Sequence, residues 1–151
     1  MIGIDNIDRA LLRELQKNGS AKASDLGKAV GLSQSAAWRR IKRLEDAKVI
    51  NGKRIVLDAV KLGFSVTVFL GVKLAAKGRV SLEDFERAVS AVPEVQLVQH
   101  VLGMYDDRLK VVATDLSDFE RVLRRRIMTL PGVGDVEANV LLSEEKRNFV
   151  I

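Results

Sequence analysis

Four cations crowd into one short stretch: Arg39, Arg40, Lys42 and Arg43. What they can do depends on the element that carries them. The stretch from Ser33 to Asp46, SQSAAWRRIKRLED, predicts a helix. Ser33 suits its N-cap, because the hydroxyl can accept from free amides of the first turn. Ala37, Ile41 and Leu44 recur at spacings of four and three, so they share one side. Ser35, Ala36, Arg39, Lys42 and Arg43 fall roughly opposite, with Arg40 at the edge. One face packs on a core while the other offers short and cationic side chains. That division suits a helix laid in a DNA groove, where cations meet phosphates and residues near the helix start reach base edges. Ser35, Ala36 and Arg39 are the candidates for base edges. Ser33, Gln34, Arg40, Lys42, Arg43, Lys53 and Arg54 complete the expected contact set.

The charge balance supports a polyanion partner. Between Ser33 and Arg54 there are seven Lys/Arg and two acids, an excess equal to the net charge of +5 for the whole chain. The rest of the chain is balanced, so the basic character is local, as on a nucleic-acid-binding surface. A solvated basic helix would carry the same charges; the residues around the helix decide between the two.

Catalysis finds no support. The chain has no cysteine, one histidine, no P-loop and no GxGxxG after a strand. No His/carboxylate metal set is visible, so neither enzyme activity, cofactor nor metal is expected. No run approaches the roughly 20 apolar residues of a membrane span. The start, MIGIDNIDR, lacks the apolar core of a signal peptide. The expected setting is the cytoplasm, with no membrane partner.

The elements that would position the basic helix lie before it. Asp5 can cap a helix running to about Asn18, with Ile7, Leu11 and Leu15 four apart and Gly19 as a stop. A short helix follows at about Ala23 to Val30, without a good cap, since Lys22 stands where one is wanted. Gly31 then allows a sharp turn, and Gly27 allows close backbone approach. Helix, glycine turn, helix is the pattern of a helix-turn-helix, although a generic αα-corner shares it. Asn51-Gly52 signals a tight turn between Val49-Ile50 and Ile55-Val56-Leu57. A small wing carrying Lys53 and Arg54 is expected there, within a linker of about 47–63. Trp38, the only tryptophan, reads as a packing residue.

The second half, 64–151, contains an internal repeat. Ser81-Leu-Glu-Asp84-Phe-Glu-Arg87 is echoed by Ser117-Asp118-Phe-Glu-Arg121, and the two helices end at Pro93-Glu-Val95 and Pro131-Gly-Val133. Ser117 with Glu120 matches a capping box, and Ser81 with Asp84 resembles one. Strict alternation marks a strand at residues 64–74. Val95 to Leu102 and Leu109 to Thr114 read as a hairpin turning near Gly103-Met-Tyr-Asp106, and Val136 to Leu142 closes the set. The order is βαββαβ, a ferredoxin-like split βαβ domain, which makes the chain α+β. Both helices cover one sheet face. Alternation places Phe69, Val98, Leu102, Val112 and Leu141 on the other, with His100, and an apolar bare face predicts a homodimer.

With these motifs in place, the chain resembles the Lrp/AsnC (feast/famine) family of transcriptional regulators. The resemblance is carried by IDNIDRALLRELQKNG, GLSQSAAWRRIKRLEDAKVI, Pro93-Glu-Val95, Gly103-Met-Tyr-Asp106 and Leu130-Pro-Gly-Val133. It implies a winged helix-turn-helix over residues 1–57 and a βαββαβ effector-binding and dimerisation domain over 64–151. It also implies double-stranded DNA as partner, a small-molecule effector such as an amino acid bound between subunits, and dimers assembling as far as octamers. Carried over, the effector candidates are Leu102, Gly103, Met104, Tyr105 and Asp106 at the turn, with Val136, Ala138 and Asn139 on the last strand. A turn offers amides to a carboxylate, and Asp106 could hold an ammonium; Tyr105 and Asp106 could equally just shape the hairpin. Leu102, Met104, Val136, Ala138 and Asn139 depart from the polar residues common there, which implies a more apolar effector or none. An architectural DNA-binding protein without an effector is the alternative.

Overall fold

Asp5 and Asp8 open the first helix by capping each other. In the computed structural model, which describes residues 2–75 and 79–146, the Asp8 amide donates to Asp5 Oδ1 at 2.8 Å and the Asp5 amide to Asp8 Oδ2 at 3.1 Å. Helix α1 then runs over Asn6–Lys17. Helix α2, Ala23–Val30, has no side-chain cap at Lys22 and ends at Gly31, whose φ of 72° is left-handed. Helix α3, Gln34–Asp46, starts where Ser33 accepts from the Ala36 amide at 3.2 Å.

Leu11, Leu26 and Ala37, one from each helix, make the small core, with Leu15, Val30, Leu32 and Ile41 against it. Gly27 is what lets α2 meet the turn. A Cβ there would lie 2.7 Å from the Leu32 carbonyl oxygen and 3.1 Å from that of Ser33.

The expected wing does not form. Among the described residues no strand lies between α3 and residue 66. The reason lies in the end of α3. Lys48 adopts a φ of 58°, and the amides of Val49 and Ile50 both donate to the Leu44 carbonyl, at 2.9 and 3.2 Å. Backbone needed for one arm of the hairpin is committed to closing the helix. Ile55, Val56 and Leu57 are left 87%, 84% and 67% exposed.

The chain forms two compact units: the first holds the three helices up to Val56, together with Lys146, and the second spans Leu57–Glu145. In the second, β1 (Val66–Leu74), α4 (Arg79–Ser90), β2 (Val95–His100), β3 (Asp107–Ala113), α5 (Leu116–Val122) and β4 (Val133–Val140) follow in the order βαββαβ. Helix α5 continues as a π-helical turn, Leu123–Ile127. The sheet is antiparallel throughout, in the order β2-β3-β1-β4. Val68, Leu70 and Val72 of β1, with Leu109 and Val111 of β3, pack under Phe85, Val89, Phe119 and Val122 of the helices.

Two expectations about caps change. Asp115, not Ser117, caps α5, its carboxylate accepting from the Asp118 amide at 2.7 Å. Helix α4 begins at Arg79, ahead of Ser81, so Ser81 is no cap; its side chain lies outside the described residues. Two expectations about faces change as well. Strand β2 slips by one residue between Val95 and Leu97, so alternation reverses after the bulge. Val98 and His100 therefore stand opposite Leu109 and Asp107, on the helix side, while Leu97 pairs with Lys110 on the open side. Leu102 lies in the turn, fully exposed. The open face is mixed: Phe69, Leu97, Val112 and Leu141 alternate with Arg108, Lys110, Glu137 and Asn139. Among the described residues no helix is long and apolar enough to cross a membrane.

Candidate functional site

The outer surface of α3 is built as the spacing requires. Ala37 and Leu44 are buried, while Ser33, Gln34, Ser35, Arg39, Lys42 and Arg43 are exposed and Ala36 and Arg40 half-buried. The cations are not equivalent. Arg40 donates to Asp5 at 2.7 Å and to Asp8 at 2.9 Å, and Arg43 donates to Asp8. Lys42 pairs with Asp46 at 3.1 Å. Arg39, Lys53 and Arg54 have no ion pair among the described residues. The expected contact set thus splits. Arg40 and Arg43 tie α3 to α1, and the positive charge left without a carboxylate is that of Arg39, Lys53 and Arg54.

Asp8 is the residue that sequence reasoning missed. It is wholly buried. Burial pushes its carboxyl up, but hydrogen bonds from Arg40, the Asp5 amide and Arg43 outweigh that and hold it below the usual carboxylate range. The signal was present as an acid on the α1 face that also carries Leu11 and Leu12; only the fold could place it beside α3.

A second site lies on the open sheet face, under the turn between β2 and β3. A depression of about 250 Å³ is floored by Phe69 and Gly71 and walled by Met104, Tyr105, Arg108 and Glu137. The Tyr105 ring packs against Gly71 of β1. A Cβ on Gly71 would sit 2.6 Å from that ring, so only glycine leaves room. The Tyr105 hydroxyl donates to Glu137, and Asn139 Nδ2 donates to the same carboxylate at 3.1 Å. These two bonds lower the Glu137 pKa and keep it anionic. The Arg108 guanidinium sits 5.1 Å from the centre of the Phe69 ring.

The expected effector residues are only partly brought together. Gly103, Met104, Tyr105 and Asn139 line the depression. Leu102 projects from the turn, outside the lining. Asp106 serves the backbone instead: its carboxylate accepts from the Leu74 amide at 2.8 Å and its own amide donates to the Val72 carbonyl at 2.9 Å. Val136 and Ala138 stand opposite Val72 and Leu70, residues of the helix side, so they cannot face the depression. Glu137, between them in sequence, does. Strand alternation with the right phase would have found it.

Both sites match one family. The profile of the AsnC-type helix-turn-helix domain matches residues 4–45, and that of the Lrp/AsnC ligand binding domain matches residues 67–151. The leucine-responsive regulatory protein of Haemophilus influenzae is 35% identical over 149 residues, covering 98% of this chain and 90% of its own. Among solved structures, an AsnC family transcriptional regulator from Agrobacterium tumefaciens superposes with a TM-score of 0.88 at 33% identity, over 97% of this chain and 95% of that one. A transcriptional regulator from Neisseria meningitidis in complex with L-methionine superposes with a TM-score of 0.91 at 29% identity, over 96% and 94%. This chain belongs to the Lrp/AsnC family of transcriptional regulators, and it is not an enzyme.

Proposed function

We propose that α3 lies in the major groove of operator DNA and that the depression under the β2–β3 turn holds an α-amino acid with an apolar side chain. The observation that carries the DNA half is the exposed start of α3, where Ser33, Gln34, Ser35 and Arg39 share one surface. Ser35 and Arg39 are four apart, so both can meet the same groove. Lys53 and Arg54 add phosphate contacts.

The effector half rests on two opposite charges at one depression. Arg108 is suited to the effector carboxylate and Glu137 to its ammonium. Phe69 and Met104 offer apolar surface to the side chain. The turn amides and Asp106, the first candidates for these tasks, yield to Arg108 and Glu137. L-methionine, the ligand of the Neisseria relative, is the first compound to try. The test is thermal unfolding against each standard amino acid. A ligand that binds the folded state raises the melting temperature. No shift for any of them at millimolar concentration would leave the architectural reading standing.

A second copy of the chain fits the open sheet face. Phe69, Leu97 and Leu141 are all partly exposed there, and Ile55, Val56 and Leu57 offer further apolar surface. A homodimer sets two α3 helices about one helical turn of DNA apart, roughly 34 Å, and dimers assembling further, up to an octamer, would let effector occupancy act through assembly. Sedimentation showing only monomer at micromolar concentration would sink this arrangement. Such a regulator works in the cytoplasm, beside the chromosome.

A further inference from the structure

Where β2 and β3 meet α4, the sheet carries a group of side chains that the proposed DNA and amino-acid contacts do not use, although Asp107 also borders the depression. Glu86 of α4, His100 at the end of β2 and Asp107 at the start of β3 bring one ligand atom each within 4.8 Å of one another. His100 and Asp107 are paired residues in the sheet, so they share its helix side. Asp107 is wholly buried, yet neither carboxylate oxygen has a hydrogen-bond partner among the described residues. The His100 Nδ1 atom lies 3.4 Å from Asp107 Oδ1, close enough for attraction but outside hydrogen-bond geometry.

A buried carboxylate without hydrogen-bond donors is costly to leave so. We propose that Glu86, His100 and Asp107 bind a first-row divalent transition metal ion, with Zn²⁺ or Mn²⁺ as the class. One imidazole and two carboxylates are the donor set such ions accept, and Mg²⁺, which prefers oxygen alone, fits it less well. A tetrahedral ion with bonds of about 2.1 Å spaces its ligands about 3.4 Å apart. Closing the group from 4.8 Å asks for little. Glu86 is half-buried on a long side chain, and the His100 side chain is 54% exposed. An ion here would tie α4 to the β2–β3 hairpin, next to the turn that shapes the amino-acid depression.

The test uses the full chain, stripped with a chelator and titrated calorimetrically with Zn²⁺, Mn²⁺ and Mg²⁺. Zn²⁺ or Mn²⁺ should bind at about one ion per chain and raise the melting temperature, with Mg²⁺ much weaker. His100→Ala and Glu86→Gln should each weaken binding by at least about tenfold, the lower end of what even outer ligand partners cost. Both side chains reach solvent, so both variants should fold, which circular dichroism checks. Co²⁺ should give visible absorption bands that His100→Ala abolishes. The proposal falls if neither Zn²⁺ nor Mn²⁺ binds up to millimolar concentration. It falls equally if binding is undiminished in both variants, because the ion would then sit elsewhere.

Discussion

Asp8 and Asp107 are both wholly buried, and their surroundings could hardly differ more. Asp8 accepts from Arg40, from Arg43 and from the Asp5 amide. Among the described residues no donor reaches the Asp107 carboxylate in hydrogen-bond geometry, and His100 Nδ1 stands 3.4 Å away. Burial raises the pKa of each, but only at Asp8 do cationic donors reverse the outcome. The contrast separates two uses of a buried acid. One fastens helices and takes cations from a surface that sequence alone assigns to DNA. The other is held in readiness for a cation from outside the chain.

The largest effect expected from breaking this contrast is at Asp8. Asp8→Ala removes the acid shared by Arg40 and Arg43 and leaves Asp5 alone to hold Arg40. Removing one partner of a fully buried ion pair costs about 3–5 kcal/mol. Arg40 and Arg43 are 29% and 44% exposed, so water recovers part of that, and about 2 kcal/mol is expected. Trp38 is the only tryptophan, and it lies in the N-terminal unit. Its fluorescence during urea unfolding reads that unit alone. A variant as stable as the parent would mean the arginines were never committed to Asp8.

Acid tests the same contact without mutation. Asp8 and Asp5 both have folded pKa values below their ordinary ones, Asp5 chiefly through the Asp8 amide and then Arg40. Depressed carboxylates contribute stability that is full above the unfolded value, near pH 4, and is lost as pH falls through the folded value. The Trp38 transition should therefore weaken below about pH 4 in the parent and weaken less in Asp8→Ala. Parallel profiles for the two proteins would argue against the network.

The three N-terminal helices and the split βαβ order were legible in the sequence because caps, glycines and apolar spacing all agree there. Asp5, Gly31 and Ser33 mark their boundaries by local chemistry alone. Legibility stopped where a choice depended on a distant neighbour. Nothing around residue 40 shows that Arg40 is claimed by an acid 32 positions earlier. The bulge between Val95 and Leu97 reversed the faces of Val98 and His100, and no residue there advertises it. Val136 and Ala138 came as effector candidates from the resemblance alone, and the register of β4 with β1 turns them to the helix side, leaving Glu137 beside the depression. The wing was misread because Asn51-Gly52 is a strong local signal, while the amides of Val49 and Ile50 are claimed by Leu44.

Arg39 should be the complement of Arg40 in DNA binding. With no carboxylate among the described residues to hold it, its charge is available to a phosphate or a base. Arg39→Ala should lower affinity roughly tenfold, the low end for one good base contact. If it neutralises a phosphate instead, the slope of log affinity against log salt falls by about 0.9. Arg40→Ala should change stability more than the salt slope. A gel shift in which Arg40→Ala alone lowers the slope would invert the division of labour on α3.

The smallest expected effect is at Asp107, and its sign is the sharper test. Asp107→Asn keeps the shape of the side chain and removes the charge. In chelator, with no counter-ion present, that should raise stability by about 1 kcal/mol, because a neutral amide is cheaper to bury than an unpaired carboxylate. Tyr105 is the only tyrosine and lies in the C-terminal unit, so its near-ultraviolet absorbance can follow the transition separately from Trp38. Adding Zn²⁺ or Mn²⁺ should then stabilise the parent and leave the variant unmoved, reversing their order. If the variant is instead the less stable of the two in chelator, Asp107 is contributing to the apo fold as Asp8 does, and the two acids would belong to one class after all.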